Sequence, residues 1–315
     1  MGSCEIGIKA GRMNRSNLPM LYGRQKLLLA LLQKFGGSLG SVNLQKYLFL
    51  FTETCQQDKS YDFVPYRFGC FSFQSYADRR KLIEFGILAD TEQWKLLPTT
   101  VDYLSMLNGA DQKKMELFFE RFKALKGDDL IREVYRRFPY FAIRSEIAEG
   151  LMDDDELEAI YAAQPTNSDA AFFTIGYEGQ SFENYLNRLI KNDVRVLCDV
   201  RKNPLSRKYG FSKKTLSDTL NKLGIEYVHL PDLGIVSDKR STLNSQADYD
   251  RLFKEYEATT LKQNGKALEE LANIFTQKRR VAITCFEAEH CMCHRGRVAN
   301  ALVNRPDWNT AIVHI

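Results

Sequence analysis

Val281-Ala282-Ile283-Thr284-Cys285-Phe286-Glu287-Ala288-Glu289-His290-Cys291-Met292-Cys293-His294-Arg295-Gly296-Arg297-Val298-Ala299-Asn300-Ala301-Leu302-Val303 reads as three consecutive pieces. Val281–Thr284 is a β-branched apolar run and predicts a buried strand. Val298–Val303 predicts a helix. The thirteen residues between them hold three of the 7 cysteines and two of the 4 histidines. Strand, chemistry-bearing loop and helix in succession belong to an α/β domain, where such a loop opens at the carboxyl edge of the sheet.

Outward from this stretch, four more apolar runs precede or follow it. They are Ala171–Ile175, Val194–Cys198, Glu226–Leu230 and Thr310–His314. Most are continuous rather than alternating, as in strands covered on both faces. Helical patterns separate them at Phe182–Lys191, Lys213–Leu223, Tyr249–Ala258, Lys266–Lys278 and Val298–Asn304. Phe172–Ile175, Val196–Cys198, Val228–Leu230, Ala282–Cys285 and Ala311–Val313 are therefore expected in one mainly parallel, Rossmann-like sheet spanning 171–315.

Each strand leads into a polar segment. Gly176-Tyr177-Glu178-Gly179 follows the first. Asp199-Val200-Arg201-Lys202-Asn203-Pro204, with Ser206-Arg207-Lys208, follows the second. Pro231-Asp232-Leu233-Gly234 follows the third, and Cys285–Arg297 the fourth. Parallel strands bring all four to one edge. Asp199, Arg201, Asp232, Glu287, Cys293 and Arg295 are expected in one pocket there.

The residues from Phe172 to Ile315 resemble an uncharacterised bacterial and archaeal family, domain-of-unknown-function family 488. The resemblance rests on Thr174-Ile175-Gly176-Tyr177, Asp199-Val200-Arg201 with Pro204 and Ser206-Arg207, Tyr227 with Leu230-Pro231-Asp232-Leu233-Gly234, and Cys285-x-Glu287 before Cys293-His294-Arg295. It implies an α/β fold and an anion-friendly pocket, and no particular reaction. Family members carry one cysteine before His-Arg. Here Cys291-Met292-Cys293 offers two, and either can be the reactive thiol.

Several chemistries fit these residue types. Cys293 at a helix N-terminus, beside His294 and Arg295, can be a low-pKa thiolate nucleophile or a half-buried structural cysteine. Glu287, Asp199 and Asp232 are candidate acid/base groups. Gly176, Tyr177, Arg201, Ser206, Arg207, Cys285, His294 and Arg295 are candidate ligand contacts. Arg201, Arg207 and Arg295 suit a phosphate or carboxylate, although Arg201 and Asp199 can equally form an internal ion pair. Tyr177 can stack on a base or simply pack. His290-Cys291 with Arg297 has the spacing of a cysteine phosphatase loop, but Phe286–His290 separate it from the strand end. Cys285, His290, Cys291, Cys293 and His294 could hold a metal, since thiolate and imidazole suit zinc, but without a paired C-x2-C knuckle no metal is assigned. Without a glycine-rich phosphate loop no cofactor is named.

The first half differs in character. Residues 1–19 read as a loose leader. Residues 20–98 predict short helices (Gln25–Gln33, Val42–Glu53, Ser72–Phe85), an irregular aromatic stretch at Tyr61–Phe71, and a hairpin of Ile87-Leu88 with Trp94–Leu97. That order is winged-helix-like. Leu44-Gln45-Lys46-Tyr47-Leu48-Phe49 and Tyr66-Arg67-Phe68-Gly69-Cys70-Phe71 resemble the SocA-like (Panacea) antitoxin domains. Arg79, Arg80 and Lys81 are candidate nucleic-acid contacts, or a solvated basic turn on a protein-binding module. Residues 99–163 predict a helical connector broken at Pro139. Asp153-Asp154-Asp155-Glu156 reads as a helix start, and 164–170 as a linker.

Composition bounds the rest. Hydrophobic content of 44% and charged content of 27% are those of a soluble globular protein. No apolar run long enough to span a membrane occurs, and no secretory h-region opens the chain. An odd number of cysteines suits free thiols in a reducing cytoplasm. The net charge of +4 belongs wholly to the residues from Thr166 onward. Together these features predict a nucleic-acid- or nucleotide-directed enzyme with DNA, a nucleotide or another small anion as partner. A non-enzymatic nucleotide sensor and a cysteine-based phosphatase or sulfur-transfer enzyme are the alternatives.

Overall fold

The structure, a computed structural model, describes residues 18–236 and 245–315. The expected leader lies outside them apart from residues 18 and 19. Two compact units divide the chain at Gln164/Pro165.

In the first unit, α1 (Gly23–Lys34) ends at Gly36 and Gly37, whose φ angles of +94° and +76° stop it. β1 (Ser38–Leu39) and α2 (Ser41–Cys55) follow. β2 (Val64–Tyr66) and β3 (Gly69–Phe71) form an antiparallel hairpin where an irregular stretch was expected. The hairpin forms because Gly69 takes φ +84°, and a Cβ there would also lie 2.5 Å from the Tyr135 ring. α3 (Phe73–Glu84) is capped by Ser72. Asp78 on α3 is buried and accepts hydrogen bonds from Arg24 at 2.7 Å, Gln25 at 3.0 Å and Tyr61 at 3.0 Å, which ties α3 to α1. A buried carboxylate needs such partners.

β4 (Trp94–Lys95) pairs antiparallel with β1. The hairpin expected around residues 87–97 is reduced to a single bridge, Leu88 to Leu96. Helices α4 (Gly109–Phe122) and α5 (Gly127–Arg137) complete the core, and a 3-10 turn at Pro139–Ala142 replaces the helix where Pro139 has no N–H. After α6 (Ala148–Leu151), α7 (Asp154–Ala162) starts at Asp153, which forms a capping box with Glu156.

The second unit is one five-stranded sheet. Its strands are β5 (Ala171–Gly176), β6 (Val196–Asp199), β7 (Glu226–His229), β8 (Arg280–Cys285) and β9 (Ile312–His314). They lie in the order β7-β6-β8-β5-β9, all parallel. The helices are α8 (Phe182–Lys191), α9 (Lys213–Lys222), α10 (Gln246–Tyr256), α11 (Gly265–Lys278) and α12 (His294–Val303).

Phe172, Val196, Cys198, Val281 and Ile283 pack on one face with residues of α10, α11 and α12. The alternate residues Phe173, Ile175, Leu197 and Ala282 are buried too, so both faces are covered and the runs read as continuous. The chain moves outward from β5 to β6 and β7, then returns to place β8 between β6 and β5. That reversal opens a crevice at the carboxyl ends of the central strands. No helix among the described residues is long and apolar enough to cross a membrane.

Candidate functional site

The carboxyl edge is built on a buried ion pair. Asp199 ends β6 with no solvent exposure, and Arg201 is 6% exposed. Arg201 Nε and Nη2 donate to the two Asp199 oxygens at 2.8 and 2.5 Å. Its Nη1 donates to the Tyr177 hydroxyl at 3.0 Å and the Phe211 carbonyl at 2.9 Å. Burial alone would lower the Arg201 pKa, but the Asp199 hydrogen bonds and charge hold it above its ordinary value. The Tyr227 hydroxyl also donates to Asp199 at 2.7 Å, and burial, with that carboxylate, pushes its pKa up. Of the two sequence alternatives for Arg201, the internal pair is the one formed. Tyr177 likewise packs, stacked on Phe211 with centroids 4.2 Å apart.

Backbones approach closely around this pair. A Cβ on Gly176 would lie 1.8 Å from the Glu287 carbonyl oxygen, and one on Gly234 would lie 2.2 Å from the Lys202 nitrogen. Only glycine lets these loops meet. Tyr177 and Glu178 N–H groups both donate to the Phe286 carbonyl, and the Glu178 carboxylate accepts from the Ala288 N–H at 2.9 Å.

A cleft of about 360 Å³ opens beside the pair. Cys285 and His294 lie at its floor, Ser206 and Asn203 at its side, and Leu205 and Phe286 on its rim. The His294 ring places Nε2 2.9 Å from the Val200 carbonyl. A carbonyl only accepts, so Nε2 carries a proton, and in the neutral ring the Nδ1 lone pair faces the thiols. Cys285 Sγ lies 3.6 Å from Nδ1 and Cys293 Sγ lies 4.0 Å from it. The Glu287 carboxylate is 3.4 Å from Cys285 Sγ. Leu205 is 82% exposed and Phe286 43%, unusual for such side chains beside a polar cleft. Arg207 is exposed at the mouth and has no ion-pair or hydrogen-bond partner among the described residues.

Several expected positions differ. Cys293 caps α12 but is 1% exposed and does not line the cleft. Burial, reinforced by neighbouring Cys285, pushes its thiol pKa well up, with Arg295 pulling only partly back. The helix-terminus effect expected to lower it is outweighed by desolvation. Cys285, at the strand end, is the thiol facing the cleft. Arg295 is 2% exposed and donates to the Glu287 carbonyl, and to the Ala288 carbonyl at 2.7 Å. It ties down the loop instead of facing the cleft, because a guanidinium on the first turn of α12 reaches the carbonyls above it. Asp232 lies in an adjoining cleft of about 260 Å³ with Tyr256, and accepts from Lys202 at 3.2 Å. Lys202 lines both clefts. Cys291 is exposed, and Arg297 lies 3.7 Å from the Glu257 carboxylate, so the phosphatase-type loop does not form.

Sequence reasoning missed the apolar rim, Leu205 and Phe286, and the wall residue Ile235. Leu205, an aliphatic side chain inside a Pro- and Arg-rich loop, was the available signal.

The first unit has its own cavity of about 260 Å³, lined by Tyr66, Phe71, Tyr76 and Lys46 among others. Lys46 is 1% exposed, donates to the Phe68 carbonyl, and lies 3.5 Å from Cys70 Sγ. Burial lowers the Lys46 pKa and raises that of Cys70. The Arg79 guanidinium donates to the Thr91 carbonyl and to the Gln93 carbonyl at 3.3 Å, and covers Trp94. It holds the turn and is spent there, whereas Arg80 and Lys81 are exposed and Lys81 pairs with Glu84 at 2.8 Å.

Residues 181–302 match the family model described as Domain of unknown function DUF488. That span contains the Asp199–Arg207 segment and the whole Cys285–Arg297 loop, and stops short of Gly176 and Tyr177. None of the curated proteins matches the chain.

Proposed function

We propose that the second unit is an enzyme acting on a nucleotide or nucleic-acid substrate bound in the 360 Å³ cleft. The observation that carries this reading is the pairing, at one cleft mouth, of exposed apolar side chains with a cation that has no partner among the described residues. Arg207 can take a phosphate in bidentate fashion. Leu205 and Phe286 can take the flat face of a base, for which stacking on apolar and aromatic groups is the general solution. The floor supplies reactive groups, since Cys285 Sγ lies 3.6 Å from Nδ1 of the His294 imidazole. Arg201 does not contact the anion in this reading. It fixes the loop from which Arg207 projects.

For the first unit we propose a macromolecule-binding role of winged-helix type. The helix order and the pairing of Ser38–Leu39 with Trp94–Lys95 support it. Arg80 and Lys81 are its phosphate contacts, without Arg79.

Calorimetric titration of the full chain with nucleoside mono- and diphosphates and short oligonucleotides, followed by product analysis, tests the enzyme reading. Binding that weakens in Arg207→Ala, with turnover lost in Cys285→Ser, is expected. Binding without turnover of any bound compound would favour the sensor. Absence of binding to every phosphorylated compound would overturn both.

A further inference from the structure

Three buried side chains converge at and beneath the cleft floor from two elements. Cys285 ends β8, and Cys293 and His294 open α12. Their Sγ, Sγ and Nδ1 atoms all lie within 4.8 Å of one another. Seven residues of loop separate Cys285 from Cys293, so the spacing does not resemble a zinc knuckle, and only the fold brings the thiols together.

The distances suit one metal ion. Zinc holds sulfur at about 2.3 Å and imidazole nitrogen at about 2.0–2.1 Å in tetrahedral geometry, which sets sulfur and nitrogen about 3.6 Å apart. Cys285 Sγ and Cys293 Sγ lie 3.6 and 4.0 Å from His294 Nδ1. The tautomer is also right. Nε2–H of His294 donates to the Val200 carbonyl, which fixes the ring and leaves Nδ1 as the ligand atom. A backbone or carboxylate acceptor on the far nitrogen is the usual companion of a metal-bound histidine.

We infer that Cys285, Cys293 and His294 bind a thiophilic divalent cation, zinc foremost, with a fourth position reached from the cleft. Thiolate and imidazole select zinc over magnesium or calcium. Two thiolates neutralise the ion, so occupancy adds no net charge to the buried floor. Binding releases the two thiol protons to solvent. Cys285 and His294 line the cleft and Cys293 does not, so the side of the ion away from Cys293 is the accessible one. An ion there would polarise a water or a substrate oxygen reached from the cleft.

This inference rests on reading the cleft as the working site, but its test uses metal alone. The full chain, reduced and stripped with a chelator, is titrated with cobalt(II) in the absence of nucleotide. One equivalent should bind with an intense sulfur-to-metal charge-transfer band, and zinc should displace it. Cys285→Ser and Cys293→Ser should each lower affinity by about 100-fold or more, since even supporting groups cost 10–100-fold. Cys291→Ser, whose exposed thiol lies outside the cluster, should leave the titration unchanged. Should Cys293→Ser fail to fold, Cys285→Ser at the cleft surface still decides. No charge-transfer band from reduced protein would overturn the proposal. So would a band that survives Cys285→Ser and disappears in Cys291→Ser. Neither result touches anion binding by Arg207, which the nucleotide titration measures separately.

Discussion

Each unit buries a cation beside a cavity with a thiol nearby, and the two solve the problem differently. In the first, Lys46 is enclosed by the β2–β3 hairpin, with a backbone carbonyl and the Cys70 thiol as partners and burial lowering its pKa. In the second, Arg201 is clamped by Asp199, Tyr177 and Phe211, and its pKa stays high. A buried charge therefore does not by itself mark a working site. What marks one is the set of atoms left facing the cavity. At the carboxyl edge those include a thiol, an imidazole and the outlying guanidinium of Arg207.

The contrast can be broken most sharply by removing each cation. Arg201→Ala leaves the Asp199 carboxylate buried and uncompensated, and should cost about 3–5 kcal/mol. Lys46→Met fills the same space without a charge and should lie within about 1 kcal/mol of the parent, or above it. Urea denaturation of the two variants checks this, and equal losses would erase the distinction. Arg207→Ala should leave stability unchanged and weaken a phosphorylated ligand by about 1.5–3 kcal/mol, the range for a charged hydrogen bond. Calorimetry gives both numbers.

A pH series sharpens the comparison further. The Lys46 pKa is depressed in the folded state, so the unfolded chain binds its proton more readily. Stability should then rise with pH through the window between the depressed value and the ordinary 10.5. Cys70 is shifted up from 9.0, so its contribution is present below that value and is lost above it. The rise should accordingly flatten above about 9. Lys46→Met should abolish the rise, and its persistence would assign it elsewhere. The smallest effect concerns alkylation. Among the described cysteines, Cys291 should react first, as the exposed thiol, and Cys70, Cys198 and Cys293 last, as buried thiols with raised pKa values. Mass-spectrometric mapping of iodoacetamide adducts over time would show the order.

These two regions also differ in how far they could be read from residues. The five strands were legible because a sheet covered on both faces leaves unbroken apolar runs, and the loops at their ends share an edge by topology. Burial inside that edge was not legible. The helix-terminus argument for Cys293 is local, whereas its desolvation depends on the Cys285 neighbourhood folding over it. Arg295 looked like Arg207 in sequence, but the turn of α12 aims it at the Glu287 and Ala288 carbonyls. In the first unit the β2–β3 hairpin was hidden by Pro65 and by strands of three residues, too short for a period to register. The Lys46–Cys70 contact spans that hairpin and has no local signature.

The ligand site proposed for this protein is the cleft over Cys285 and His294, gripped from its mouth by Arg207. A crystal structure of the full chain soaked with a nucleoside diphosphate tests it most directly. Phosphate oxygens are expected about 3 Å from the Arg207 guanidinium, with the base against Leu205 and Phe286. A nucleotide seated instead in the adjoining cleft of Asp232 and Tyr256, with Arg207 turned to solvent, would contradict it.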